Sequence, residues 1–284
     1  DNFQILPRAS LATGASPRVY LFVPADRPER YAKARASGAD AVIVDLEDAV
    51  APEAKAGARD ALANALDEAT PVVVRINAAG TPWFEDDLAL CRHPGVAGVM
   101  LPKADGIDAV CSAFEACFKD VLAIIESARG VEQAHHIVRV PGVVRLAFGS
   151  VDLALDLGID CDPEGSESEL LYFRSQVVLA SRLGGLDAPA DGVSTAIDDA
   201  VRLRADAERA RRLGFGAKLC IHPKQVATVQ AAFMPDAERV AWARRICAAF
   251  AAAAGAAVAV DGQMIDKPLH ERALAILRSA GGTA

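Results

Sequence analysis

Val42-Ile43-Val44-Asp45-Leu46-Glu47-Asp48 is a short apolar run that ends in three carboxylates. A few consecutive β-branched residues read as a buried strand. The acids after it belong at its C-terminal mouth, where they meet solvent or a ligand. The layout recurs along the chain. Val72-Val73-Val74 ends in Arg75-Ile76-Asn77, Gly98-Val99-Met100-Leu101 in Pro102-Lys103, and Val121-Leu122-Ala123-Ile124-Ile125 in Glu126. Val143 to Phe148 ends in Gly149-Ser150-Val151-Asp152. Delivering polar groups from several strand ends to one place is how a parallel-stranded barrel builds an active site.

Working outward, Val19 to Pro24 is the first strand and Ala217-Lys218-Leu219-Cys220-Ile221 the last, ending in His222-Pro223. Asp187 to Val193 is a weak seventh strand, recognised by its place in the series. Helical patterns fill the gaps, and strand starts recur roughly every 22–45 residues, the length of a βα unit with its loops. Asp156 to Gly165 reads as an irregular polar insertion lying over the mouth. Eight alternating units predict an α/β fold, a (β/α)8 TIM barrel over 18–232. An open doubly wound sheet is disfavoured, because no GxGxxG or Walker loop is present. Residues 233–284 read as a C-terminal helical extension with a long helix over 236–254 and a last helix from about Pro268.

With 284 residues and 52% of them hydrophobic, the chain can bury a large core. The net charge of −8 argues against nucleic acid as the main partner. The six cysteines are scattered without a CxxC pair, and Cys111 and Cys117 stand six apart, a spacing that suits no common zinc site. They read as reduced thiols of a cytoplasmic protein. The Ala-rich stretch 248–257 is about ten residues long, too short to span a membrane. The chain starts at Asp1 rather than Met, so a trimmed start is expected, and residues 1–17 read as a loose tail without a signal-peptide core.

Glu126 and Asp152 come from sequential strands. Two carboxylates with open positions suit Mg²⁺, and they equally suit loop caps or arginine partners. Arg75 at the end of a buried strand needs an anion, which Asp45 and Glu47 can supply. It reads as a structural ion pair, or as a guanidinium held by those acids and aimed at a substrate carboxylate or oxyanion. Lys55 and Arg59, four apart on one helix, read as a solvated face or as a phosphate contact. His222 reads as a cap or core residue, and His135-His136 as surface.

Taken in order, Leu21-Phe22-Val23-Pro24-Ala25-Asp26-Arg27-Pro28-Glu29-Arg30, Asp45-Leu46-Glu47-Asp48-Ala49-Val50, Val74-Arg75-Ile76-Asn77, Met100-Leu101-Pro102-Lys103, Glu126-Ser127-Ala128-Arg129-Gly130, Phe148-Gly149-Ser150-Val151-Asp152-Leu153 and Cys220-Ile221-His222-Pro223 resemble the citrate lyase beta-subunit-like proteins of the HpcH/HpaI aldolase family. The resemblance runs from about residue 18 to residue 275. It implies a (β/α)8 barrel, Mg²⁺, and carbon–carbon cleavage or condensation of acyl-CoA thioesters such as citryl-, malyl- or citramalyl-CoA with small keto or hydroxy acids. By position it implies Glu126 and Asp152 as metal ligands, with Glu126 also near the substrate. Arg75 becomes the substrate arginine, counted with Asp45 and Glu47 in the catalytic set, and Lys55 and Arg59 approach the CoA phosphates. Gln263-Met264-Ile265-Asp266-Lys267-Pro268 resembles a C-terminal motif whose aspartate acts in a neighbouring subunit. That implies Asp266 as an acid/base supplied in trans and a homo-oligomer, a trimer or a multiple of one. Ala25 stands where many members have glycine, so the first loop is expected to sit differently. A CoA-independent aldolase on free 2-keto acids and a non-catalytic acyl-CoA or organic-acid binding protein are the alternatives.

Overall fold

The computed structural model describes residues 16–162 and 167–281. The described chain divides into two compact units, one reaching Val229 and one starting at Gln230. The first alternates strands and helices in the order β1 (Val19–Pro24), α1 (Tyr31–Arg35), β2 (Ala41–Asp45), α2 (Lys55–Ala65), β3 (Val72–Arg75), α3 (Phe84–Leu90), β4 (Val96–Leu101), α4 (Ile107–Cys117), β5 (Asp120–Ile125), α5 (Ala128–Ile137), β6 (Val143–Phe148), α6 (Ser150–Leu157), α7 (Leu171–Leu183), β7 (Ala190–Asp191), α8 (Ala200–Leu213) and β8 (Ala217–Cys220). A further helix, α9 (Val226–Phe233), follows. The eight strands are parallel and close in sequence order, with β1 paired to β8 through Tyr20 and Leu219. This is the (β/α)8 barrel that the recurring apolar runs predicted.

One buried cluster takes at least one side chain from every strand, among them Tyr20, Ile43, Val73, Met100, Ile124 and Ala147. Only the inside of a closed barrel allows that. Successive residues of a strand point to opposite faces, so this cluster fixes the direction of every other strand residue. Asp191 and Lys218, each one position from an interior alanine, therefore point outward against the helices. They are buried all the same. Asp191 Oδ1 accepts from Nε of Arg174 on α7 at 2.9 Å, and Lys218 Nζ lies 3.4 Å from Oδ2 while donating to the Gly192 carbonyl at 2.7 Å. Burial alone would raise the Asp191 pKa. Lys218 and Arg174 reverse this and hold it below the usual carboxylate range. The charge cluster explains how β7 closes the barrel with only two residues of ladder, shorter than the weak seventh strand expected over 187–193.

Two other expectations change. The irregular insertion begins later than Asp156, because 150–157 is helical and ends at Gly158 in the left-handed conformation that glycine adopts freely. Of its remainder, residues 163–166 lie outside the described residues. So do residues 1–15 of the expected N-terminal tail. Ser16 and Pro17 are tied down: the Ser16 hydroxyl donates to Asp187 at 2.6 Å, and the Pro17 carbonyl accepts from Arg145 at 2.6 Å.

Near this N-terminal end of the strands, burial and then the charge of Asp187 push the Asp120 carboxyl from the ordinary 3.8 up to about 6. A raised carboxyl favours the protonated fold. Its stabilisation is complete below pH 4, fades as pH rises through 6, and leaves a constant cost above. The full shift would correspond to about 3 kcal/mol; partial solvation of the group reduces it to about 1 kcal/mol. Asp120→Asn is therefore expected to gain about 1 kcal/mol at pH 8 and nothing at pH 4. Urea melts at the two pH values check this, and an equal effect at both would refute it.

The second unit contains α10 (Ala237–Ala252), the antiparallel hairpin β9 (Val258–Val260) and β10 (Gln263–Ile265), and α11 (Lys267–Ser279). Ala243, Ile246, Ile265, Ala273 and Ile276 form its core. Among the described residues, no helix is long and apolar enough to cross a membrane. All six cysteines are free.

Candidate active site at the barrel mouth

Asp45 and Arg75 lie two residues beyond the interior Ile43 and Val73, and Glu126 lies two beyond the interior Ile124. The strand period of two carries all three onto the inward face at the C-terminal mouth. The Arg75 guanidinium donates through Nε and Nη2 to both oxygens of Asp45, at 2.7 and 2.6 Å. It stacks 4.8 Å from the Phe22 ring centroid. Asp45 also accepts from the backbone of Glu47 and Ala49, which ties the acidic loop to the end of β2. Burial opposes the charge of Arg75. Asp45, then Glu47 and Asp48, overcome it and keep the group fully charged. The ion-pair and oriented-guanidinium readings thus coexist: the bidentate hold on Asp45 aims the remaining Nη1 edge.

That edge lies 3.1 Å from Glu47 Oε2 and 3.7 Å from Asp48. The approach to Glu47 is out of line. Oε2 is buried and accepts no hydrogen bond, so it remains a carboxylate oxygen with unused capacity. Its other oxygen takes the Lys103 ammonium at 3.2 Å. Burial raises the Glu47 pKa, and Arg75 draws it back. Glu126 is also buried, and its Oε1 accepts from the Lys103 backbone N–H at 2.7 Å. Burial pushes its carboxyl up to about 7. The charges of Glu47 and Asp152 add to this, and the Lys103 N–H opposes it. Asp152 is half-buried in the first turn of α6, and its carboxylate forms no hydrogen bond or ion pair among the described residues.

These features fit a divalent cation bound by oxygen. The acids crowd together with too little positive charge, and one buried oxygen has no donor. Among the described residues no three His, Cys, Asp or Glu side chains converge on one point. Mg²⁺ needs no such cage, since it keeps several waters and binds through one or two carboxylates. Glu126 and Asp152 are the pair that would hold it. Gly149 makes room: a Cβ there would lie 2.5 Å from both Cβ and Oε2 of Glu126. Gly149→Ala is therefore expected to displace the Glu126 carboxylate and weaken Mg²⁺ binding by about 10–100-fold, as displaced metal-site geometry commonly does. Calorimetric titration of Mg²⁺ measures this, and unchanged affinity would mean that Glu126 is not a ligand.

Lys55 and Arg59 are turned elsewhere. Lys55 is 6% exposed, so it is no part of a solvated face. Its ammonium donates to the carbonyls of Leu46 and Glu47 at 2.8 and 2.7 Å and sits 5.2 Å from the Trp83 ring centroid. Arg59 pairs with Asp87 at 2.9 Å and Asp86 at 3.3 Å. Asp87 in turn accepts from the backbone and side chain of Asn77. Both cations brace the loops after β2 and β3 through these contacts. His222 is a cap, accepting through Nδ1 from the Lys224 N–H at 3.1 Å, and His135-His136 are exposed at the end of α5. In the second unit, the exposed Asp266 caps α11 by accepting from the Leu269 N–H at 3.1 Å. Sequence reasoning passed over Lys103 as a site residue. The signal was present in its place after a strand, directly following Pro102.

Residues 18–223 match the family model described as HpcH/HpaI aldolase/citrate lyase. The chain is 42% identical over 276 residues to a citrate lyase subunit beta-like protein of Deinococcus radiodurans, covering 92% of this chain and 96% of that one. It is 34% identical over 301 residues to the L-malyl-CoA/beta-methylmalyl-CoA lyase of Cereibacter sphaeroides, covering 93% and 94%. Among solved structures it is similar to the CitE protein of Mycobacterium tuberculosis in complex with magnesium, acetoacetate and coenzyme A. The TM-score is 0.85 at 40% identity, over 94% of this chain and 99% of that one.

Proposed function

The chain belongs to the HpcH/HpaI aldolase/citrate lyase family of carbon–carbon lyases, and from that premise we propose that it cleaves a hydroxyacyl-CoA thioester of the malyl, citramalyl or citryl type, with Mg²⁺ as cofactor. The observation that carries the reading is the acid cradle of Glu126 and Asp152 beside the half-buried, fully charged Arg75. Glu126 and Asp152 would hold Mg²⁺, which would supply Lewis-acid charge at the substrate's oxygens. Arg75, locked by Asp45, keeps donors on its Nη1 edge for the oxygen that gains charge as the hydroxyl becomes a keto group. The carbon–carbon bond then breaks toward the thioester, whose enolate takes the electron pair. The hydroxyl proton leaves to a base, and an acid returns one to the enolate carbon.

We assign that proton movement to Asp266 of a neighbouring copy, which makes the working protein a homo-oligomer, a trimer or a multiple of one. Exposure of Asp266 and its single capping bond support this, since the carboxylate keeps one oxygen free of the cap. Free thiols support a cytoplasmic setting.

Incubation with malyl-, citramalyl- and citryl-CoA, with Mg²⁺ or with EDTA, tests the reading. Acetyl-CoA and a keto acid are expected in equal amounts from at least one thioester, with Mg²⁺ only. Release of free CoA without a keto acid, or turnover of free keto acids alone, would overturn it.

A further inference from the structure

Lys103 touches two of the acids at the barrel mouth, Glu126 and Glu47. Its backbone N–H donates to Glu126, and its ammonium donates to Glu47, 56 positions away in the chain. The two contacts are separable, because the first needs no side chain. The backbone stands at φ +47°, a left-handed conformation that costs a lysine and that glycine adopts freely. Glycine would serve the Glu126 contact with less strain, so the side chain adds something the fold does not need. Its ammonium lies at the open surface of the mouth, with the Lys103 side chain 46% exposed. It can thus swing from Glu47 toward a ligand without repacking the core.

We propose that Lys103 is a tethered counter-ion that couples metal and acid. It opposes a divalent cation entering the cradle alone, and it favours that cation once an anionic acid has arrived with it. The inference rests on the metal reading above. In the free protein the ammonium neutralises Glu47 and repels a second cation. With the metal and a 2-oxo acid in place, the acid's carboxylate offers the ammonium a partner. The two ligands then bind better together than apart, by the reciprocity of linked equilibria.

The test uses the whole chain and the variants Lys103→Gly, Lys103→Met and Lys103→Arg. Mn²⁺ affinity is read by electron paramagnetic resonance, and pyruvate affinity is read at saturating Mn²⁺. The glycine variant keeps the N–H to Glu126 and relieves the backbone, so loss of folding does not intervene. Both neutral variants are expected to bind Mn²⁺ about five-fold tighter and pyruvate about five-fold weaker, the lower end of typical coupling between sites. The arginine variant should match the native chain. Any outcome in which the two constants fail to move in opposite directions overturns the proposal. A native chain that binds no Mn²⁺ would remove the metal reading itself, which separates that failure from this one.

Discussion

Glu126→Gln is expected to abolish Mg²⁺ binding and to lower kcat/KM by about 1,000-fold, while the protein melts no lower than the native chain. The two effects have one cause. The buried carboxylate lies among Glu47 and Asp152, and the fold disfavours its ionised form strongly enough to bring its pKa to about 7. An amide of the same shape removes that penalty and still accepts the Lys103 N–H through its oxygen. It also removes the charge that a hard cation needs. A more stable and inactive protein is what a site built at the expense of stability should give. Asp152→Asn should lose the metal in the same way with little change in melting, since that side chain is half-buried and unpaired. Calorimetric Mg²⁺ titration and a thermal melt decide the matter. Mg²⁺-dependent turnover near the native rate in either variant would remove these residues from the metal site.

Arg75→Met is expected to fail in the opposite way, losing both stability and rate. Removing the guanidinium leaves Asp45 buried without its cation and Glu47 with Lys103 alone, a loss of about 3–5 kcal/mol for a broken buried pair. It also removes the donors beside the developing oxyanion, worth about 100–1,000-fold in kcat. Arg75→Lys should restore part of the stability and little of the rate, because an ammonium cannot reproduce the two-point hold on Asp45. The double variant Arg75→Met with Asp45→Asn separates the two effects. It should recover part of the lost stability and none of the activity. Recovery of activity in the double variant would reduce Arg75 to a structural partner of Asp45.

The barrel was legible because its signal is local and repeated. Runs such as Val42 to Asp45 and Val121 to Glu126 are apolar enough to read as strands, and the period of two puts Asp45, Arg75 and Glu126 in phase with Ile43, Val73 and Ile124, whose inward direction the closed barrel decides. Asp191 and Lys218 were passed over because each is a single charge in a weak or short strand. Nothing nearby shows that Arg174, on a helix well before both, closes the cluster. The helix 150–157 was hidden by its start at the end of an apolar strand, where the change from a period of two to one of 3.6 leaves no break in composition.

The sequence by itself determined the eight-strand barrel, the family, and the acids and arginine at the strand ends. Those properties depend on residues close together in the chain and on the alternation that a strand imposes. Only the tertiary structure decided what each cation holds. Lys55 turns inward to two carbonyls, Arg59 braces Asp87, and Lys103 bridges Glu47 and Glu126. Charge acts through space, and a flexible side chain settles on whichever oxygens the closed barrel brings within about 3 Å. No periodicity in the chain encodes that distance.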